Sequence, residues 1–170
     1  MKNNYIVRGN TVVILIKKKT GEIIEALIDI DDLEKLKTIG SLYVHHGRST
    51  PYVAYRSHEN GKYVQKLLHR FLLDDPPNKV VDHINHNGLD NTRRNLRAIK
   101  SSENMQNLKG AYITSKSKIR GVIWKNQRKK WIAQVKVYGK IVFDSGYNTK
   151  EQAEEAAIEM RRKFMPYATN

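Results

Sequence analysis

Cysteine is absent from the 170-residue chain, so disulfides and the cysteine zinc sites of finger and ribbon modules are excluded. Long apolar runs are missing as well. None approaches the roughly 18 residues of a membrane span, and Met1-Lys2-Asn3-Asn4-Tyr5 lacks the apolar stretch of a secretory signal. These absences point to a soluble, cytoplasmic protein with no membrane association. There is no internal repeat, no low-complexity tract and no segment that suggests a protein partner. Acidic residues are scarce beside basic ones, 17 Asp and Glu against 31 Lys and Arg, and the net charge is +14. An excess of that size calls for a polyanion, and nucleic acid is the default.

The charge is spread unevenly. Residues 1–60 hold 9 basic and 7 acidic side chains, residues 61–108 hold 8 and 5, and residues 109–170 hold 14 and 5. Most of the attraction for a polyanion therefore resides in the C-terminal third, which allows binding and chemistry to be housed separately.

Residues 1–60 alternate short β-type runs with turn signals: Tyr5-Ile6-Val7, Val12 to Ile16, Ile23 to Ile28 after Thr20-Gly21, then Leu42-Tyr43-Val44 and Tyr52 to Tyr55. Residues 30–38 read as a brief helix with Asp29 or Asp31 as its cap, and the acids Asp29, Asp31, Asp32 and Glu34 read as caps and dipole partners rather than a cation site. Apolar positions at helical spacing predict a second helix over 63–73, stopping before Pro76-Pro77. Residues 109–118 are polar, show no period, and read as a linker.

Chemistry concentrates in Val81-Asp82-His83-Ile84-Asn85-His86, Leu89-Asp90-Asn91-Thr92-Arg93-Arg94-Asn95-Leu96-Arg97 and Ser102-Glu103-Asn104-Met105-Gln106-Asn107. Residues 79–84 are β-branched and predict a strand, the Asn- and Gly-rich stretch after them a loop, residues 95–99 a returning strand, and Ser101 or Ser102 the cap of a helix. Cutting a phosphodiester needs an activated water, stabilisation of charge on the phosphate oxygens, and help for the leaving oxygen. His83 is the candidate base, because a neutral imidazole can take a proton near neutral pH. Asp82 and the carboxamide of Asn104 are candidate ligands for one hard cation, Mg²⁺ or Mn²⁺. Asn95 suits a hydrogen bond across the loop that fixes the ribbon, and Arg93, Arg94 and Arg97 suit phosphate contacts. Neighbouring strand residues point to opposite faces, so Asp82 and His83 can serve one site only if the ribbon is strongly twisted or bulged there. A lone Asp-His pair is more often a turn or a buried hydrogen-bonded pair, but the joint pattern on a basic chain favours the site. His86 reads as a solvated loop residue and His69 as a structural histidine. For His45, His46 and His58 the sequence identifies no partner.

From Leu68-His69-Arg70 to Asn107 the chain resembles the HNH endonuclease family with its ββα-metal fold. Asp82-His83 stands at the strand pair, Asn95 at the loop asparagine and Asn104 at the helix position. Asn104 replaces the commoner His, as in the phage and intron-encoded homing branch. The resemblance implies a site-specific endonuclease on double-stranded DNA.

Residues 119–165 predict three strands, over 119–124, 131–138 and 140–144, with a tight turn at Tyr138-Gly139, and then a helix. Thr149 and Gln152 make a capping box, and Ala153, Ala156, Ala157, Met160 and Phe164 form the helix's apolar face. Alternation assigns Trp131, Ala133, Val135 and Val137 to the covered core and Gln134, Lys136 and Tyr138 to an open face. Trp124 and Trp131 read as core rather than stacking platforms. The module resembles the DNA-binding domain of plant ethylene-responsive (ERF) transcription factors, also found fused to phage HNH nucleases. By that resemblance Arg120, Lys125, Gln134, Lys136 and Lys140 face DNA.

The sequence thus predicts an α+β protein: a β-rich segment over 1–60, a nuclease domain over 61–108, a linker over 109–118 and an ERF-like domain over 119–170. The competing expectation is a non-catalytic DNA-binding regulator with a degenerate nuclease motif. An RNA-binding protein fits less well, since no aromatic platform for single strands stands out.

Overall fold

The computed structural model describes residues 1–47, 50–108, 110–111 and 115–169. The chain is α+β and forms two compact units, Met1–Lys100 and Ser101–Asn170. The division falls inside the 61–108 stretch, before its helix. Among the described residues no helix is long and apolar enough to cross a membrane.

In the first unit β1 (Tyr5–Arg8), β2 (Thr11–Lys17) and β3 (Ile23–Asp29) form an antiparallel sheet with β2 in the middle. Val12, Val13, Ile14 and Ile16 are all at most 2% exposed, so this run is buried on both faces and could not show a clean alternation. A 3-10 turn, Ile30–Asp32, leads into α1 (Leu33–Lys37). Here the expectation of acidic caps is corrected. Neither Asp29 nor Asp32 makes a side-chain cap bond. Asp29 Oδ2 instead accepts from the Arg93 main-chain N–H at 2.7 Å, and Asp32 accepts from Arg93 Nε at 3.0 Å and Nη2 at 2.6 Å.

The second sheet is β4 (Tyr43–His46), β5 (Pro51–Glu59) and β6 (Lys62–Leu67) in sequential antiparallel order, followed by α2 (Leu68–Leu72). The helix expected over 63–73 is therefore a strand for its first five residues. Asn60 and Gly61 both adopt positive φ, 50° and 77°, which is the two-residue hairpin geometry that matches strand twist and that Asn-Gly favours. Once the turn is set, Lys62–Leu67 completes the ladder on β5, and cross-strand pairing outweighs a weak helical period. Val12, Ile14, Ile28, Leu36, Val53, Leu68 and Leu72 share one core cluster. A two-stranded ribbon, β7 (Val80–His83) with β8 (Leu96–Ile99), completes the unit.

The second unit begins with α3 (Ser101–Asn104) and a 3-10 turn, Met105–Asn107. β9 (Val122–Lys125), β10 (Lys130–Val137) and β11 (Lys140–Tyr147) form an antiparallel sheet with β10 in the middle. Tyr138 and Gly139 make the expected turn at φ 49° and 78°. α4 (Lys150–Phe164) carries the expected capping box, with Gln152 N–H donating to Thr149 Oγ1 at 3.2 Å. Its Ala153 and Ala157 pack against Val122 and Ala133, and Trp131, Phe143 and Tyr147 border that cluster. Arg161, by contrast, is buried on this helix and donates to the Arg120 carbonyl at 2.6 Å. Trp124 stands 43% exposed rather than in the core. Within the expected linker, residues 109 and 112–114 lie outside the described residues, while Ser117 is buried and accepts from the Ile119 N–H at 3.1 Å.

Candidate functional site

The ribbon's ladder is continuous, pairing Asp82 with Arg97 and His83 with Leu96. Residues 84–95 between the strands are tied by their own side chains, as the Asn and Asp content of a turn-rich loop would suggest. Asn95, 4% exposed, spans the loop: its Oδ1 accepts from the Asn85 N–H at 2.9 Å and its Nδ2 donates to the Asp90 carbonyl at 2.7 Å. Asp90 accepts from Asn85 Nδ2 at 2.9 Å and from Thr92 Oγ1 at 2.7 Å. The first sheet grips the far side of the loop, with Leu27 N–H donating to the Leu89 carbonyl at 2.9 Å and Asn91 N–H to the Leu27 carbonyl at 2.8 Å. The N-terminal segment therefore shapes this loop, in part through the Arg93 clamp.

His83 ends β7 and is 5% exposed. Its ring lies edge-on to His69 with centroids 4.8 Å apart and tilts against Tyr52 at 5.8 Å. Nε2 stands 3.4 Å from Asn91 Oδ1, a long and weak hydrogen bond. In the tautomer where Nε2–H donates to Asn91, the basic lone pair is on Nδ1. Burial lowers the His83 pKa, opposed by the Asn91 hydrogen bond and the charges of Asp82 and Asp90. The imidazole is thus neutral at physiological pH and able to accept a proton. His69 is held neutral more strongly: burial, then the charges of His83 and Arg70, push it down to about 3. Its Nδ1 is buried and has no hydrogen-bond partner among the described residues.

Asp82 lies on the ribbon face opposite His83, and the ladder runs through both without a register shift, so the bulge that would turn the two side chains to one side is not there. Its Oδ2 accepts from Arg97 Nε at 2.9 Å and Nη2 at 2.8 Å, both side chains being largely buried. As a donor, this carboxylate suits a hard divalent ion that binds through one carboxylate, waters and phosphate oxygens. Among the described residues no three His, Cys, Asp or Glu side chains gather as a metal cluster. Asn104 closes α3 in the second unit. Arg94 is exposed, whereas Arg93 and Arg97 are engaged by Asp32 and Asp82.

In the second unit, Gln134 Nε2 donates to Asp144 Oδ2 at 2.7 Å across the β10–β11 pair, with Lys125 Nζ 3.8 Å and Arg128 Nη1 3.6 Å from the same carboxylate. Lys136, Tyr138 and Lys140 are exposed. Arg120 donates to the carbonyls of Leu108 at 2.7 Å and Met105 at 3.2 Å.

Three residues around His83 were not singled out from the sequence. Tyr52 reaches both histidines from β5. Gly88 is where the loop touches that tyrosine: a Cβ there would come within 2.6 Å of the Tyr52 ring and collide with the Pro51 carbonyl. Asn91 is fully buried beside His83. Gly88 followed by a polar loop was a legible sign of close approach, whereas Tyr52 lies too far away in sequence to be linked by pattern.

Residues 75–106 match the model of the HNH endonuclease family, which takes in the ribbon, the loop and most of the following helical turn. The match supports nuclease activity in general; such nucleases generally depend on a divalent metal, and the domain implies DNA as substrate. No curated protein and no solved structure matches the chain.

Proposed function

We propose that the chain is a site-specific DNA endonuclease of the homing type, in which the region around His83 cuts and the C-terminal module, of ERF type, holds the duplex. The observation that carries this reading is the buried imidazole of His83, packed against Tyr52 and His69 and within reach of Asn91 at the end of the ribbon in a segment of nuclease pattern. His83 takes a proton from water; the water oxygen bonds to phosphorus and the bond to the leaving oxygen breaks. Asn95 acts as a positioning residue, holding Asn85 and Asp90 so that the loop keeps one shape. The sequence pattern nominates Asp82 and Asn104 as ligands for Mg²⁺ or Mn²⁺, which when bound supplies charge stabilisation at the phosphate oxygens. Cation uptake at Asp82 competes with the Arg97 ion pair. Arg94 contacts phosphate near the cut, while Lys125, Gln134 and Lys136 meet the duplex from the open sheet face and Lys140 meets it from the edge of the β10–β11 turn.

A regulator that binds DNA without cutting is favoured by one specific observation, the engagement of Asp82 by Arg97 beside a histidine that is 5% exposed. Supercoiled plasmid carrying candidate target sequence separates the two. Nicked or linear product with Mg²⁺ or Mn²⁺, lost in chelator and in His83→Ala, is the nuclease result. Binding with no product under any divalent ion makes the regulator the better account.

A further inference from the structure

The ladder of the second sheet places Tyr43, His45, Tyr52, Ala54, Arg56 and His58 on one face of β4 and β5, with Tyr63, Gln65 and Leu67 of β6 on the same face. One end of that face is Tyr52, which packs on His69 and His83. The other end is open: Arg56, His58, Tyr63 and Gln65 are exposed, Tyr63 to 77%. These side chains are arranged rather than scattered. Tyr43 Oη donates to Gln65 Oε1 at 3.0 Å, which leaves the amide N–H groups of Gln65 directed away from Tyr43, and Arg56 stands opposite Gln65 across the ladder. His58 and Tyr63 meet edge to face at 5.2 Å. No carboxylate stands among these nine positions, because Glu59 pairs with Lys66 from the other side of the sheet. A face of hydrogen-bonding groups, planar rings and one exposed cation, with no acid, on a chain of net charge +14, suits phosphates and nucleotide edges.

We propose that this face of β4–β5–β6 is a DNA-binding surface of the first unit, which leads the strand to be cut toward Tyr52 and His83. It rests on the nuclease reading for its direction toward His83, but not for binding itself. It gives the N-terminal segment a substrate-binding role beyond scaffolding, and makes Arg56 and Gln65 its principal polar contacts.

The test is equilibrium binding of the full chain to a fluorescein-labelled DNA duplex of arbitrary sequence, by anisotropy in chelator and at several salt concentrations. Arg56→Gln with Tyr63→Ala, both at exposed sites, is expected to weaken binding about tenfold and to flatten the log–log salt slope by about 1, the loss of one phosphate contact. Gln65→Lys is expected to tighten binding a few-fold and to steepen the slope by a similar step. Lys19→Gln, on the β2–β3 turn, serves as the control and leaves both unchanged. Far-ultraviolet circular dichroism verifies that each variant is folded. Affinities and slopes equal to wild type in both the double variant and Gln65→Lys would overturn the proposal, as would preferential displacement of the duplex by RNA. Altered binding in a protein that never cuts upholds this surface while refuting the nuclease reading.

Discussion

Arg93 was a phosphate-contact residue by its position in the sequence, and the structure makes it a clamp, a difference that Arg93→Met resolves. Asp32 is 2% exposed and receives two charge-assisted hydrogen bonds from the Arg93 guanidinium, at 3.0 and 2.6 Å. Met keeps the apolar stem, and the Arg93 main-chain bond to Asp29 is unaffected, so the variant removes those two bonds together with the counter-charge of the buried Asp32 carboxylate. Each such bond contributes about 1.5–3 kcal/mol when buried. The Arg93 side chain is 52% exposed, so solvent screening reduces the pair's worth and we expect a loss of about 2 kcal/mol. For a unit of about 100 residues that corresponds to a fall in Tm of about 10 °C. Urea unfolding measures it, and Asp32→Asn combined with Arg93→Met should cost less than the two singly, by a coupling of about 1 kcal/mol. Stability unchanged within about 0.5 kcal/mol, together with a salt slope for DNA binding lowered by about 1, would refute the clamp and restore the phosphate contact.

Gly88→Ala should destabilise by at least about 2 kcal/mol, since the new methyl meets the Pro51 backbone as well as Tyr52 and backbone cannot swing aside; urea unfolding reads this, and a wild-type midpoint would show the approach to be loose. Stability should also fall with acid between about pH 6.5 and about 3, because there the unfolded chain binds a proton at His69 that the folded one excludes; the slope approaches roughly 1.4 kcal/mol per pH unit, and His69→Phe should flatten it. Arg97→Met should raise Mn²⁺ affinity at Asp82 a few-fold by isothermal titration; weaker binding would mean that Arg97 supports the site rather than competes for it. Thr149→Ala should cost about 1 kcal/mol through loss of the α4 capping box, measured as a lower Tm.

The parts that were legible from sequence are those whose cause is local. The ribbon, its loop and the capping box of α4 follow from β-branched runs, Asn and Gly turns and a Thr-x-x-Gln pattern within a few residues. Strand β6 is equally legible, since Asn60-Gly61 announces a hairpin, although the helical spacing of the apolar residues over 63–73 points the other way. Arg97 opposite Asp82 followed from the antiparallel ribbon once its strands were placed, and needed only the register to be counted. The clamp from Asp32 to Arg93 joins residues 61 apart, and Tyr52 reaches His83 from a different sheet. Such pairings depend on how the sheets pack, which periodicity does not record. Arg161 illustrates the same limit, because a charge in the last turn of a helix reads as solvated until its carbonyl partner on Arg120 is known.

The decisive measurement is single-turnover cleavage of a labelled duplex by wild type and His83→Ala, at protein concentrations where both saturate the DNA, with Mg²⁺ present and then chelated. If His83 is the base, the variant binds the duplex as wild type does, its cleavage rate falls by about 10²–10⁴-fold, and chelator abolishes the wild-type product. Equal rates for the two proteins, or product that survives chelation, would contradict the account.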